Sequence, residues 1–323
     1  PKSLASLVVL LLVVASLASI VNRSTPVDIS KTLRWIVFLV VISVVIEKIY
    51  LVLSGVSSAI RPSGIYSEPS HLALSLSPAL VALIAAPQFR SRLLGWVSAA
   101  LLFIISASST LFVMFALCLF FVTISRNKIN VKLKFRFIRV FLSIGFVISL
   151  VIASPYKEDF FQRIEGLKEI TLETNISSLA YLNGWQVAIK NINNSYWMGL
   201  GFNRMGCNPR PITEAGEALA LFELEDLNYN DGSFVASKML SELGVFGIGV
   251  YVAAFFSLFL VVKESRRMVL CQELITLRAF VIGSLVVFAI GGFIRGTSYF
   301  SGVFVIGVWA WFQLRKYELW RRS

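Results

Sequence analysis

One short segment carries three residue types able to do chemistry together. It reads Arg61-Pro62-Ser63-Gly64-Ile65-Tyr66-Ser67-Glu68-Pro69-Ser70-His71, and His71 is the single histidine of the chain. Pro62, Gly64 and Pro69 make it a shaped turn. Arg61 offers a fixed, always-charged fork that suits phosphate. Glu68 is either a general base or the group that holds Arg61 in place. His71 is either a base in reserve or the start of a helix.

A second constellation begins at Gly199-Leu200-Gly201-Phe202-Asn203-Arg204-Met205-Gly206, followed by Pro209-Arg210-Pro211. Glycine-rich turns let backbone amides approach an anion. The alternative is an ordinary turn. Glu214, Glu217, Glu223, Glu225, Asp226 and Asp231 follow. They lack an Asp-x-Asp pair or a histidine partner, so they read as a solvated acidic face and no metal is expected. Asp231-Gly232-Ser233 abuts an apolar run, which puts Asp231 at a membrane boundary, where it could meet a lipid-linked substrate. Arg295 stands in a short turn with Gly291, Gly292 and Gly296 around it. It is either a headgroup snorkel or a second phosphate contact. Glu47 and Lys48 interrupt an apolar run, and charge there is a functional hypothesis by default. No Walker A, H-E-x-x-H, G-x-S-x-G or CxxC pattern is present.

The elements that must position these residues are membrane spans. Hydrophobic residues make up 57% of 323 and charged residues 15%, with mean hydropathy +0.78. Soluble domains run at about 45–50% and about 25%. This excludes a soluble enzyme, a disordered chain and a secreted disulfide scaffold. The continuous apolar runs exclude a membrane β-barrel, whose strands alternate. The fold class is an all-α polytopic membrane protein with nine expected spans, at 4–21, 33–53, 71–87, 93–106, 109–125, 136–153, 234–262, 276–293 and 301–314. The first run has Lys2 before it and small residues near its end, a loose likeness to a secretory signal. It reads as a span because many like it follow, and the start at Pro1 without Met suggests the interior of a longer chain. The seventh run is overlong for one span and is expected to tilt or protrude.

Lys and Arg set the orientation. Five basic clusters fall on one side: Arg23, Lys31 and Arg34; Arg90 and Arg92; the 126–139 segment; Lys263, Arg266 and Arg267; and the tail with Arg315, Lys316, Arg321 and Arg322. That side is the cytoplasm. This placement also accounts for the net charge of +12 without nucleic acid. The 54–70 loop, the Ser106–Ser109 turn, the long 154–232 segment and the 294–300 turn then face outward. The chain divides into a 1–153 membrane bundle, a 154–232 extracytoplasmic loop and a 233–323 membrane bundle with a cytoplasmic tail. The long loop is expected to hold helices, one at Tyr156–Ile170 and one at Ser178–Asn191. Cys118 lies in a span, Cys271 inside and Cys207 outside, so no intrachain disulfide is expected.

With these residues in view, the chain resembles the bacterial O-antigen polymerase (Wzy-type) family, within the O-antigen ligase and polymerase superfamily. Three segments in order carry the resemblance. They are Arg61-x-x-Gly64-x-x-x-Glu68-Pro69-Ser70, then Trp185 followed by Gly199-Leu200-Gly201, then Asp231-Gly232-Ser233-Phe234 leading into Leu240-Ser241-Glu242-Leu243-Gly244-Val245-Phe246-Gly247. Ligases usually carry a histidine where this chain has Asn230-Asp231, and relatives often have an arginine before Trp185 that is missing here. The first departure favours polymerase over ligase.

The resemblance implies a metal-independent glycosyltransferase in the bacterial inner membrane. It would join polyprenyl-diphosphate-linked oligosaccharide units on the periplasmic face, with no cofactor and with a polysaccharide chain-length regulator as a partner. Arg61 is then the first choice for the diphosphate, with Arg204 and Arg295 second and Arg210 third. Glu68 or Asp231 is the base, with His71 in reserve. The alternatives are a ligase that transfers polymer to a lipid core and a transporter or flippase of the lipid-linked sugar. A transporter would show internal repeats and midplane charge, whereas here the charged candidates gather at one face.

Overall fold

The structure is a computed structural model that describes residues 2–55, 60–106, 108–125, 145, 170, 174–265, 272–295 and 299–320. The 126–139 basic cluster, the 136–153 span apart from Gly145 and the helix expected from Tyr156 lie outside the described residues. So do Arg266, Arg267, Cys271, Gly296, Arg321 and Arg322, and the side chains of Lys2, Arg315 and Lys316.

Among the described residues the regular structure is helical, with no strand. The α-helices are α1 (Lys2–Arg23), α2 (Pro26–Leu53), α3 (Pro69–Ala85), α4 (Phe89–Ser106), α5 (Ser109–Ser125), α6 (Ile176–Asn194), α7 (Glu214–Ala220), α8 (Val235–Leu243), α9 (Val245–Ser265), α10 (Gln272–Ala289) and α11 (Gly302–Trp320). Short 3-10 turns occur at Met205–Cys207, Tyr229–Asp231 and Gly291–Phe293. Among the described residues five segments are long and apolar enough to cross a membrane: Leu4–Arg23, Pro26–Leu53, Phe89–Ser106, Val245–Ser265 and Leu274–Phe293. Pro69–Ala85, Ser109–Ser125 and Gly302–Gln313 are shorter apolar helices. A multi-pass helical membrane protein accounts for this set.

Local chemistry sets several helix ends. Thr25 and Asp28 form a capping box at the start of α2: Thr25 Oγ1 accepts from the Asp28 amide, and Asp28 Oδ2 accepts from the Thr25 amide. Pro26 follows the cap, where its missing N–H costs nothing. Pro69 does the same at the head of α3, with Glu68 extended as its N-cap. The Ser106 and Ser109 hydroxyl region separates α4 from α5, as expected for a break in the long apolar stretch.

The expected single span at 234–262 is instead two helices, α8 and α9. Gly244 makes the break with φ +56 and ψ −130, a conformation that a side chain resists. A Cβ there would collide with the Trp197 carbonyl. The overlong run therefore bends at Gly244 instead of tilting as one rod.

The chain falls into two compact units. The first comprises Val14–Ser154, Phe256–Gly291 and Gly302–Ser323. Its centre is α3, buried from Leu72 through Ala85 apart from Ser75. The neighbouring helices approach α3 through glycines. A Cβ on Gly95 would lie 2.9 Å from Ile84, and one on Gly283 would lie 3.0 Å from Pro78 Cα. Small residues permit this close approach where lipid supplies no hydrophobic drive between helices. Arg278, almost fully buried, donates to the Ser125 carbonyl at 2.6 Å and so caps the C-terminal end of α5. On α2, Leu33, Val37, Val40 and Val44 are buried on one face. Trp35, Phe38, Leu39, Ile46 and Ile49 are exposed on the other, an apolar surface suited to lipid tails.

The second unit comprises Pro1–Val13, Pro155–Phe255 and Gly292–Ser301. Helix α6 packs against α7 and α8. Phe234, fully buried, stacks on Tyr181 at 4.7 Å and meets Trp185 at 5.1 Å. Trp185 also stacks on Phe293, which meets Tyr251 at 4.6 Å. This aromatic core sits directly behind the turn that carries Asp231.

Candidate functional site

Arg61, Glu68 and His71 lie in the first unit, on the loop that enters α3, and all three are half-buried. The loop is fastened from below by Glu47 of α2. Glu47 Oε2 accepts the Ser63 amide at 2.8 Å and the Gly64 amide at 2.5 Å. Gly64 has φ +66, and a Cβ there would strike Ser43 and Val44 of α2. Glycine is thus required both by the turn and by the close approach. Ser63 Oγ donates to the Tyr66 carbonyl at 2.6 Å. Burial holds the Tyr66 phenol above its usual range, partly offset by a hydrogen bond with Ser75. Ser70 Oγ donates to Glu68 Oε2 at 2.9 Å, and Ser67 Oγ is 2.8 Å from His71 Nδ1. The intramembrane carboxylate flagged in the sequence is therefore committed to a loop. It orders the backbone next to Arg61 without facing a substrate.

Arg204, Arg210, Asp231 and Arg295 all belong to the second unit. The Gly199–Gly201 turn runs along the C-terminal end of α8 and uses that helix's free carbonyls. Leu200 donates to Ser241 at 2.9 Å, Gly201 donates to Glu242 at 2.8 Å, and the Gly199 amide goes to Ser195 Oγ at 2.8 Å. A Cβ on Gly199 would lie 2.5 Å from the Glu242 carbonyl. Of the two readings of this glycine-rich segment, its amides match the turn: each of these donors already has a protein acceptor.

The Glu242 side chain, 1% exposed, continues the same fastening. Oε2 takes the Asn203 amide at 2.6 Å and Oε1 takes the Met205 amide at 2.9 Å. The Glu242 charge also acts on the Tyr299 phenol. The Tyr299 ring stacks on Phe202 at 4.6 Å. Burial first, then the Glu242 charge, hold the Tyr299 phenol well above its usual range. Arg204 is exposed on this fastened loop. Arg295 is half-buried on the segment that ends in Tyr299.

Asp231 closes a tight turn. Asn228, Gly232 and Ser233 have φ of +56, +65 and +66. Ser237 Oγ of α8 donates to the Gly232 carbonyl and, at 2.8 Å, to the Phe234 carbonyl. On the other side a Cβ on Gly184 would lie 2.7 Å from the Gly232 carbonyl, so α6 leaves no room for the turn to move back. The Asp231 side chain is half-exposed, and Lys238 Nζ lies 3.7 Å from its Oδ1. Lys238 is buried. It donates to the Asn230 carbonyl at 2.7 Å and lies 5.4 Å above the Tyr299 ring. The Met205–Cys207 turn, next to Arg204, meets the Asp231 turn at Gly206, where a Cβ would collide with Asn230 Oδ1.

Arg210 lies 5.4 Å from the Tyr229 ring centroid, and its Nη1 is 4.0 Å from Asp226 Oδ1. Both terminal nitrogens are shielded from solvent, with no hydrogen-bond acceptor among the described residues. The Tyr229 hydroxyl donates to the Asn208 carbonyl. Its phenol is raised by burial, lowered by Arg210, and raised again by Asp226 and Cys207. Among the described residues no three His, Cys, Asp or Glu side chains cluster as metal ligands would. Cys118 is buried and Cys207 exposed, both as free thiols.

The structure thus groups Arg61, Glu68 and His71 in one place. It brings the Met205–Cys207 turn against the Asp231 turn, and Tyr299 against Lys238 of α8. Sequence reasoning did not single out Lys238, Glu242 or Tyr299. A Lys and a Glu four apart share a helix face, and that spacing was the signal available for Lys238 and Glu242. Comparison with protein-family models, with curated proteins and with solved structures finds no match.

Proposed function

We propose that the protein is a polysaccharide polymerase of the bacterial inner membrane, a glycosyltransferase that joins polyprenyl-diphosphate-linked oligosaccharide units on the periplasmic side. The observation that carries this reading is the half-exposed Asp231 carboxylate. It is backed by buried Lys238, packed beside the Arg204 turn, and placed just before α8, which leads into the apolar helix α9. A carboxylate and guanidinium groups next to an apolar helix suit a substrate with a sugar, a diphosphate and a lipid.

The reaction asks for few groups. A hydroxyl of one repeat unit attacks the anomeric carbon of a chain held on a second carrier. The anomeric carbon–oxygen bond to the diphosphate breaks, and its electron pair leaves on the polyprenyl diphosphate. The hydroxyl proton passes to a carboxylate, Asp231 or, in the other unit, Glu68. Arginines offset the charge that develops on the diphosphate. Arg204 and Arg295, in the unit that holds Asp231, and Arg61, on the loop that holds Glu68, are the cations for this role, with Arg210 as a further cation and His71 as the reserve base. A chain-length regulator is the partner this role calls for.

A gel of surface glycolipid from cells lacking the gene tests the reading. Lipid core bearing one repeat unit, with the ladder gone, supports a polymerase. Bare core with polymer held on the carrier would make it a ligase. An unchanged ladder would remove both and favour transport of the lipid-linked sugar.

A further inference from the structure

We propose that Lys238 is the positioning residue of Asp231, a buried ammonium that sets where this carboxylate points and thereby the rate of transfer. The inference rests on the reading of Asp231 as the base.

The pair is asymmetric. The Lys238 side chain is 4% exposed and that of Asp231 46%. A buried ammonium is costly unless its protons have partners. Lys238 hydrogen-bonds the Asn230 carbonyl, and the Asp231 carboxylate at 3.7 Å and the face of the Tyr299 ring at 5.4 Å offset its charge. Glu242, one helical turn along, is already engaged by two amides, one on each oxygen. Lys238 is therefore directed at the turn and not at its helical neighbour.

The turn needs such a hold. Asn228 and Ser233 sit at positive φ without being glycine, a strained arrangement that persists only where the surroundings determine it. Ser237 fixes the Gly232 carbonyl behind Asp231, and Lys238 fixes the Asn230 carbonyl before it and the carboxylate itself. An apolar side chain of the same length would fill the same space at lower desolvation cost. What the ammonium adds is direction for the carboxylate. Lys238 does not touch the substrate. Asp231 takes the proton of the attacking hydroxyl as the anomeric bond to the diphosphate breaks.

The test is a double-mutant cycle on the full chain in lipid nanodiscs. The substrate is the polyprenyl-diphosphate-linked repeat unit extracted from cells lacking the gene, and the readout is the rate of ladder growth. Asp231→Asn should lower kcat by about 100-fold or more. Lys238→Met should lower kcat by about 10-fold or more with KM little changed, and the double variant should be no slower than Asp231→Asn alone. Losses that multiply in the double variant overturn the proposal, as does a Lys238→Met enzyme with wild-type kcat. If the Met variant does not fold, Lys238→Gln, which keeps a donor for the Asn230 carbonyl, replaces it in the same cycle. Wild-type kcat in Asp231→Asn would remove Asp231 as the base and Lys238 with it. A slow Asp231→Asn with multiplying losses would remove Lys238 alone.

Discussion

The Glu242 carboxylate of α8 accepts the Asn203 amide at 2.6 Å, across 39 residues of sequence. With Met205 on its other oxygen, a single side chain holds both flanks of Arg204. Glu242→Ala leaves the buried Met205 amide and the part-buried Asn203 amide without their acceptor. The expected cost is about 3 kcal/mol, read as a lower melting temperature. Protease sensitivity should rise first between residues 199 and 208, because that segment loses its fastening.

Glu47 does the same for the Arg61 loop. Glu47→Ala should raise amide hydrogen exchange at Ser63 and Gly64 by about 10-fold or more, the equivalent of one charge-assisted hydrogen bond of about 1.5–3 kcal/mol. Unchanged exchange at these two amides would show that another group holds the loop.

Gly184 bears on Asp231 from behind. A methyl group there would press on the Gly232 carbonyl and Ser233. Gly184→Ala should cost about 1–3 kcal/mol as overpacking and lower the transfer rate through displacement of Asp231. Melting and ladder growth on the same sample check both.

Tyr299 gives a pH signature. The free phenol titrates near 10.0, and the folded one well above it because of burial and Glu242. Between those values the unfolded chain has lost a proton that the folded chain keeps. Stability is thus full below pH 10 and falls as pH rises, by up to about 1.4 kcal/mol per pH unit for this group. Tyr299→Phe should flatten melting temperature against pH between about 10 and 11.5. An identical slope in the variant would contradict the assignment.

Apolar helices were legible in the sequence because length and composition alone mark them. The expected 109–125 span and α5 have the same bounds. The break at Gly244 was not legible, since apolar residues continue on both sides and only the nearby Trp197 carbonyl makes glycine obligatory there. Arg61, Glu68 and Asp231 could be picked out by type and by neighbouring prolines and glycines. Lys238 and Glu242 offered only their four-residue spacing, and Tyr299 nothing, because their significance lies in distant partners. Glu242 meets Asn203, and Lys238 meets the Tyr299 ring. Glu47 was visible as an anomaly, but its purpose appears only with Ser63 and Gly64 beside it.

The attachment of the Arg61 loop to Glu47 also ties it to bilayer thickness. Glu47 lies six residues before the end of α2 at Leu53, roughly 9 Å along the helix axis. The loop therefore rides at a height set by the helix, about a turn and a half short of its end. When hydrophobic mismatch tilts or sinks α2, the Arg61 guanidinium must travel with it. Acyl-chain length thus becomes a control on how deeply this cation sits relative to an anionic headgroup.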